Sequence, residues 1–170
     1  IYNIMAEETQ DMQNVSQEQI DNLKENIIKQ IKETGINVMY DVYGDGKDIG
    51  QLYYLLDRYN LNDCVNVKGK VQNSILKNKL KDYDFILQLS HSESFGMSVV
   101  EAQTHGVPAI VSNYGGLQEI ILNNKTGIIF KNLDFEKTCT CIVNVWQNKH
   151  IYFEYSQRSI INSQNKYNTE

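Results

Sequence analysis

Apolar positions in this chain recur with two different periods, and segments of each kind alternate. Between Val15 and Glu33 the apolar residues return every three or four positions, the spacing that places them on one face of a helix. Short apolar runs such as Phe85–Leu89 and Pro108–Ser112 are bounded by polar residues or glycine and have the length of buried strands. The alternation of the two patterns predicts βαβ units. The expected fold class is therefore α/β, with a doubly wound parallel sheet of about six strands.

The same pattern predicts where each element begins and ends. It contains no linker or repeat, so residues 1–170 are expected to form a single domain. Gly35 is expected to end the first helix, because glycine takes the left-handed conformation that follows many helix ends. Strands are predicted at Ile1–Met5, Ile36–Tyr43, Cys64–Val67, Phe85–Leu89, Pro108–Ser112 and Gly127–Phe130. Helices are predicted at Val15–Glu33, Ile49–Tyr59, Ile75–Lys81, Met97–Thr104, Leu117–Leu122, Asp134–Gln147 and from Ile151 onward.

Loops that follow the strands are the places to look for a ligand, because doubly wound sheets bind ligands at the carboxyl ends of their strands. Gly44 and Gly46 lie in one such loop and suggest a dinucleotide-binding fingerprint. The next glycine is Gly50, one position too late for G-x-G-x-x-G, and the pair follows the second strand rather than the first. A nicotinamide dinucleotide is therefore not expected.

The loop after the fourth predicted strand combines a glycine with the start of a helix. Gly96 has no side chain, so a ligand can approach the backbone closely. A helix that begins at Met97 points its first N–H groups and the positive end of its dipole at this loop, an arrangement that suits a diphosphate. The expected donors are Ser98 and the backbone amides of Phe95, Gly96 and Met97.

Two carboxylates, Glu93 and Glu101, lie eight residues apart around this anion site. A carboxylate can accept hydrogen bonds from two neighbouring hydroxyl groups. The pair therefore suits a ligand that carries a sugar on each side of a diphosphate. On spacing alone the alternative is that Glu93 is a solvated loop acid and Glu101 an ordinary residue of a helix surface.

Composition narrows the range of partners. The 170 residues carry a net charge of −5, whereas a basic face is the usual mark of nucleic-acid binding, so no nucleic acid is expected. No apolar run approaches the length of about 20 residues that crosses a bilayer, and no signal peptide is visible.

Cysteine and histidine positions do not predict a metal site. Cys64, Cys139 and Cys141 lack a C-x-x-C spacing and are interpreted as free thiols of a reducing cytosol. His91 and His105 are interpreted as surface or helix-capping residues rather than metal ligands.

Three motifs in the second half of the chain resemble a known family. From Glu93 the sequence reads ESFGMSVVEAQTHGVPAIVS, and a Gly-Gly-x-x-E element at Gly115–Glu119 and a Thr126-Gly127 turn follow. Together they resemble the E-x7-E signature of retaining glycosyltransferases of the two-domain GT-B architecture, the glycosyl transferases group 1. The resemblance covers nearly the whole chain, as the C-terminal, donor-binding half of such an enzyme, and implies a Rossmann-like fold.

Carried over by position, the resemblance implies a role for each matched residue. Glu93 would be the catalytic residue at the donor sugar, and Glu101 would bind the ribose of the nucleotide. The diphosphate and its sugar would be held by Ser94, Phe95, Gly96, Met97 and Ser98, the base would meet Gly69, Lys70 and Val71, and Gly44, Gly46, Gly115 and Gly116 would line the cleft.

The resemblance also implies the reaction and its partners. A nucleotide-diphosphate sugar is the expected donor, with no cofactor and no metal ion, in polysaccharide or glycoconjugate synthesis. The acceptor, a sugar, a lipid-linked molecule or a protein, would bind an N-terminal domain. Because the chain starts at Ile1 rather than Met, it is expected to be a fragment without that domain and to transfer nothing alone. A cytoplasmic location is expected. This location is compatible with peripheral association of the full-length protein with the inner face of a membrane.

One segment departs from the family, in which an arginine after the first strand and a later lysine meet the donor diphosphate. Here no basic residue precedes Lys24. Acids beside a diphosphate would repel it. The acids of this segment are Glu7, Glu8, Asp11, Glu18 and Asp21.

Several interpretations of this departure stay open. In one, Lys47, Lys68 or Lys70 supplies the positive charge for the diphosphate instead. In another, the first strand aligns differently with the family. The alternative function is a non-catalytic glycosyltransferase-like partner subunit that has lost its diphosphate-binding basic residues. A sugar-phosphate-binding or epimerase-like domain is a further interpretation, but the sequence Glu93-Ser-Phe-Gly fits such domains less well.

Overall fold

A computed structural model describes residues 2–7, 17–44, 49–89, 96–113, 115–130 and 135–167, with only the backbone given for 2–7, 17–21, 23 and 135. The described strands are β1 (Tyr2–Glu7), β2 (Val38–Tyr43), β3 (Val65–Gly69), β4 (Phe85–Gln88), β5 (Ala109–Ser112) and β6 (Gly127–Phe130). The described helices are α1 (Gln17–Glu33), α2 (Ile49–Arg58), α3 (Asn73–Lys79), α4 (Met97–Thr104), α5 (Leu117–Ile120), α6 (Phe135–Gln147) and α7 (Lys149–Tyr167), and a 3-10 turn at Leu80–Asp82 follows α3.

These strands form one sheet in the order β3-β2-β1-β4-β5-β6, and every neighbouring pair is parallel. The chain builds the sheet from β1 to one side, then returns to place β4 on the other side of β1. The carboxyl ends of β1 and β4 therefore meet at the topological switch point, where doubly wound sheets bind their ligands. Helix α4 begins just beyond the loop that leaves β4, at the same edge.

Apolar side chains cover both faces of the sheet, as expected for a parallel sheet buried on two sides. Successive residues of β4 and β5 alternate between two cores: Leu87 and Ile110 join one, Ile86 and Ala109 the other. The first core is completed by α1, α2, α6 and α7, and the second by α3, α4 and α5. The doubly wound α/β arrangement is confirmed.

Strands β1 and β3 run further than the sequence predicts, because both pair with β2 to its end. Glu7 pairs with Tyr43 on one side, and Gly69 pairs with Tyr43 on the other. The predicted ends at Met5 and Val67 are therefore too early. Glu7, expected in the loop, belongs to β1.

The start of α7 and the end of α5 also differ from the prediction. Helix α7 begins at Lys149 rather than Ile151, because Asn148 accepts a hydrogen bond from the Ile151 amide through its side chain (3.2 Å), as a capping residue does. Helix α5 ends at Ile120 rather than Leu122, because the Leu122 amide donates to the Thr126 hydroxyl (2.9 Å).

Helix α3 begins at Asn73 rather than Ile75, since the Gln72 carbonyl accepts from the amides of Ile75 and Leu76. Gly35 ends α1 as predicted, with a positive φ of 83° and its amide donating to the Lys32 carbonyl (3.0 Å). Of the helices described, none is both long and apolar enough to cross a membrane.

Candidate functional site

The N-terminus of α4 is formed by a left-handed glycine. Gly96 is buried and has φ 60° and ψ 48°, a conformation that residues with a side chain rarely adopt. Its carbonyl accepts hydrogen bonds from the amides of Val99 (3.0 Å) and Val100 (3.2 Å), so the helix starts here. The first turn contains no acidic residue. Met97, the first helical residue, is 55% exposed. This end of α4 carries the positive end of the helix dipole and opens at the switch point.

Several predicted site residues lie outside the described residues. These are Glu93, Ser94, Phe95 and Gly46, together with Lys47 and the acids Glu8 and Asp11. Their roles stay predictions.

Glu101 lies one helical turn into α4, on the side that faces α3. Its Oε1 is 2.8 Å from Nζ of Lys77, and its side chain is 29% exposed. The backbone carbonyl of Glu101 accepts hydrogen bonds from the Thr104 hydroxyl (2.6 Å) and, through Nδ1, from His105 (2.9 Å). His105 is therefore an exposed capping residue at the end of α4, as the sequence predicts.

The glycines after β2 and β3 meet at the same edge of the sheet. The Gly44 amide donates to the Gly69 carbonyl (3.0 Å), and both residues have positive φ, 140° and 67°. Lys70 is exposed, and Val71 packs against the second core beside α3 and α4. The structure therefore brings Gly44, Gly69 and Val71 to the edge at which α4 begins.

The Gly115-Gly116 pair follows β5 and begins α5. Gly115 has a positive φ of 59°, and the Gly116 carbonyl accepts from the Glu119 amide (3.1 Å). Because the strands are parallel, this turn also lies at the carboxyl edge of the sheet.

A partly buried polar group around Asp41 of β2 was not predicted. Tyr83 donates to Asp41 Oδ2 (2.7 Å), Asn66 donates to Asp41 Oδ1 (2.8 Å), and the Tyr83 and Tyr43 hydroxyls lie 2.7 Å apart. Since Tyr83 gives its one proton to Asp41, Tyr43 is the donor in the last of these bonds. Burial, with the hydrogen bonds to Tyr43 and Asp41, raises the pKa of the Tyr83 phenol well above its ordinary value. An aspartate inside the apolar strand β2 was the sequence signal for this group.

The lysines proposed as substitutes for the missing basic residues have different surroundings. Lys68 lies 3.7 Å from Asp41, so its charge is shared with that carboxylate. Lys77, which was not predicted as a site residue, contacts the predicted site residue Glu101.

Metal-binding patterns are absent from the described site. Among the residues that the structure describes, no group of three or more His, Cys, Asp or Glu side chains could hold a metal ion. Asp82 and Asp84 form an Asp-x-Asp pattern, but they precede β4 and so lie toward the edge opposite α4's N-terminus. The cysteines are free thiols, with Cys64 and Cys139 buried.

The sequence pattern of a known family matches residues 14–159, and that family is described as glycosyl transferases group 1. The chain belongs to this family. The resemblance to glycosyl transferases group 1 is thereby confirmed, and the chain is a glycosyltransferase group 1 domain.

Curated relatives share this region. Poly(glycerol-phosphate) alpha-glucosyltransferase of Bacillus subtilis is 22% identical over 134 residues, which are 78% of this chain and 19% of that protein. N-acetyl-alpha-D-glucosaminyl L-malate synthase of Bacillus anthracis is 26% identical over 126 residues, 74% of this chain and 32% of that protein. The chain therefore spans 19% and 32% of the lengths of these two relatives.

Solved structures share the fold. TarM of S. aureus, in a complex that includes UDP, superposes with a TM-score of 0.82 at 20% identity over 97% of this chain and 32% of its own. The pneumococcal O-GlcNAc transferase GtfA, in complex with UDP and GlcNAc, gives 0.78 at 21% identity over 96% of this chain and 32% of its own. The Rossmann-like fold of a GT-B domain is confirmed.

Proposed function

We propose that this chain is the donor-binding domain of a retaining glycosyltransferase, and that its donor is a nucleotide-diphosphate sugar. The observation that carries the proposal is the placement of α4 in a member of this family. A buried left-handed glycine, Gly96, starts the helix at the switch point, and Glu101 follows one turn later.

The diphosphate binds at the N-terminus of α4. The backbone amides there and the helix dipole favour an anion, and Met97, the first residue of the helix, is exposed. When the glycosidic bond of the donor breaks, negative charge develops on the leaving diphosphate. The same fixed dipoles stabilise that charge, which lowers the barrier without a metal ion.

The nucleotide extends from this point toward β3. Glu101 accepts hydrogen bonds from the ribose hydroxyls, and the backbone of Gly69, Lys70 and Val71 meets the base. By resemblance to the family, Glu93 is expected to contact the donor sugar on the other side of the diphosphate. TarM and GtfA were both solved with UDP, which makes UDP the first nucleotide to test here.

Calorimetric titration of the 170-residue chain with UDP, GDP and ADP tests the site. We expect one of the three to bind and Glu101→Ala to weaken it about tenfold to a hundredfold, the usual loss for a hydrogen bond to a charged group. Glu33→Ala is the matched control, because Glu33 is also an exposed helical glutamate that pairs with a lysine, Lys29. It lies at the end of α1, which leads into the amino end of β2 and is therefore away from the candidate site. Absence of binding by all three nucleotides would favour the non-catalytic partner subunit.

The acceptor site and the rest of the active site belong to an N-terminal domain of a longer protein. We expect the chain alone to transfer no sugar, because a donor-binding half cannot position the acceptor. Incubation with UDP-glucose and UDP-GlcNAc in the presence of simple sugar acceptors should release UDP at the rate of the protein-free control. Faster release with formation of a glycosylated product would contradict this part of the proposal.

A further inference from the structure

Lys77 and Glu101 form an ion pair between two helices that border the candidate nucleotide site. The Lys77 Nζ lies 2.8 Å from Oε1 of Glu101, and the two side chains are 51% and 29% exposed. The residue before Lys77, Leu76, is buried in the same core as Val100, the residue before Glu101. The packing of these neighbours fixes the backbone of both helices at the point where the charges meet.

The contact leaves the carboxylate able to bind a second partner. A carboxylate offers about four acceptor positions on its two oxygens, and the Lys77 ammonium contacts Oε1. Two hydroxyl groups of a ribose can therefore be accepted while the ion pair stays in place.

Val71 of the predicted base segment packs against the same core as the neighbours of this pair, Leu76 and Val100. A ribose that joins a base near Val71 to a diphosphate at Gly96 passes beside Glu101 and hence beside Lys77.

We propose that Lys77 is a positioning residue of the nucleotide site: it holds the Glu101 carboxylate in the orientation that accepts the ribose hydroxyls. The inference rests on the proposed function. A glutamate whose rotamer is already held in the free protein loses less freedom when the ligand binds. The ammonium also offsets the repulsion between Glu101 and an anionic ligand. Both effects make binding tighter when Lys77 is present.

The test compares a nucleotide that has the ribose hydroxyls with one that lacks them. UDP and 2′,3′-dideoxy-UDP are titrated into the wild-type chain and into Lys77→Met, Lys77→Arg and Lys79→Met. If GDP or ADP is the nucleotide that binds, it and its dideoxy analogue are used in place of UDP and 2′,3′-dideoxy-UDP. Lys79→Met is the matched control, because Lys79 is an exposed lysine of the same helix and its replacement removes the same charge.

We expect Lys77→Met to weaken UDP about threefold to fivefold relative to its effect on the dideoxy analogue, the range of a partly exposed ion pair. Lys77→Arg should restore most of the affinity, and Lys79→Met should bind both nucleotides like the wild type. Equal weakening of UDP and the dideoxy analogue would overturn the positioning role, since a loss of general charge or of packing acts on both. Unchanged or tighter UDP binding by Lys77→Met would overturn it too, because Lys77 would then be idle or a competitor of the ribose. Failure of the wild type to bind any of the nucleotides would overturn the proposed function, and this inference with it.

Discussion

Gly127, at the start of β6, is a position where the fold admits no side chain. A Cβ there would lie 2.3 Å from the backbone carbonyl oxygen of Ala109 and 3.1 Å from Cγ2 of Ile121. Ala109 is the residue that Gly127 pairs with across β5 and β6, so the contact cannot be relieved by turning a side chain. The glycine of the Thr126-Gly127 turn is therefore required by the close approach of two parallel strands.

The substitution Gly127→Ala is expected to lower the free energy of unfolding by about 1–3 kcal/mol, because the strand must move to admit the methyl group. Gly50→Ala is the control, since Gly50 lies in α2 with open space around a Cβ. It is expected to raise stability by at most about 1 kcal/mol, the advantage of alanine over glycine in a helix. Urea unfolding measures both. Equal stability of the Gly127→Ala and wild-type chains would show that β5 and β6 separate without cost.

At the scale of elements, buried polar contacts hold α4 against α7. Asn162 donates to the Gln103 side chain (3.0 Å) and to the Ile120 carbonyl (2.9 Å), and Ser159 donates to the Thr126 carbonyl (3.0 Å). A Cβ on Gly106 would lie 2.7 Å from Oγ of Ser156, so the end of α4 touches α7 directly. A fully bonded polar network of this kind fixes one arrangement of the helices. The orientation of α4, and with it the candidate anion site, is set partly by α7.

Packing of α6 on α1 has a consequence for the effect of pH. Cys139 of α6 is buried and donates through its thiol to the Ile27 carbonyl of α1 (3.8 Å). Burial raises the pKa of the Cys139 thiol from 9.0 to about 11. Because the folded pKa lies above the unfolded one, the associated stability is complete below pH 9 and is lost as the pH rises toward 11.

We therefore expect the wild-type chain to lose on the order of 1 kcal/mol more stability than Cys139→Ala between pH 7 and pH 10. Other groups with raised pKa values, among them Tyr155 at about 12, are common to both proteins and cancel in the comparison. Urea midpoints at pH 7, 9 and 10 with a reductant present provide the measurement. Parallel pH profiles of the two chains would mean that the thiol is equally accessible to ionisation in the folded and unfolded states.

For the whole molecule, nucleotide binding should appear as a gain in stability, because a ligand that binds only the folded chain shifts unfolding by mass action. At a UDP concentration of about 100 times Kd the gain is about 2.7 kcal/mol, which corresponds to a rise in Tm of roughly 5–10 °C for a domain of this size. At the same UDP concentration Glu101→Ala should show a smaller rise and Glu33→Ala the full one. A rise of equal size in all three proteins would place the nucleotide away from Glu101.

Much of the fold follows from short-range features of the sequence. The period of the apolar residues predicts each strand and helix, and their alternation predicts a doubly wound parallel sheet, because a strand buried on both faces and an amphipathic helix leave different patterns. The bounds of α4, Met97–Thr104, were predicted correctly, and Gly96 before it has a left-handed backbone, which glycine adopts without strain. The family motifs then predicted which residues form the donor site.

Contacts between distant segments were decided only by the tertiary structure. Nothing in the spacing of Lys77 and Glu101 indicates an ion pair, since it depends on how α3 packs beside α4. The Asp41, Tyr83 and Tyr43 group likewise depends on the position of β4's start relative to β2. Periodicity reports which face of an element is buried, whereas the partner of a polar side chain is set by the packing of elements far apart in the chain.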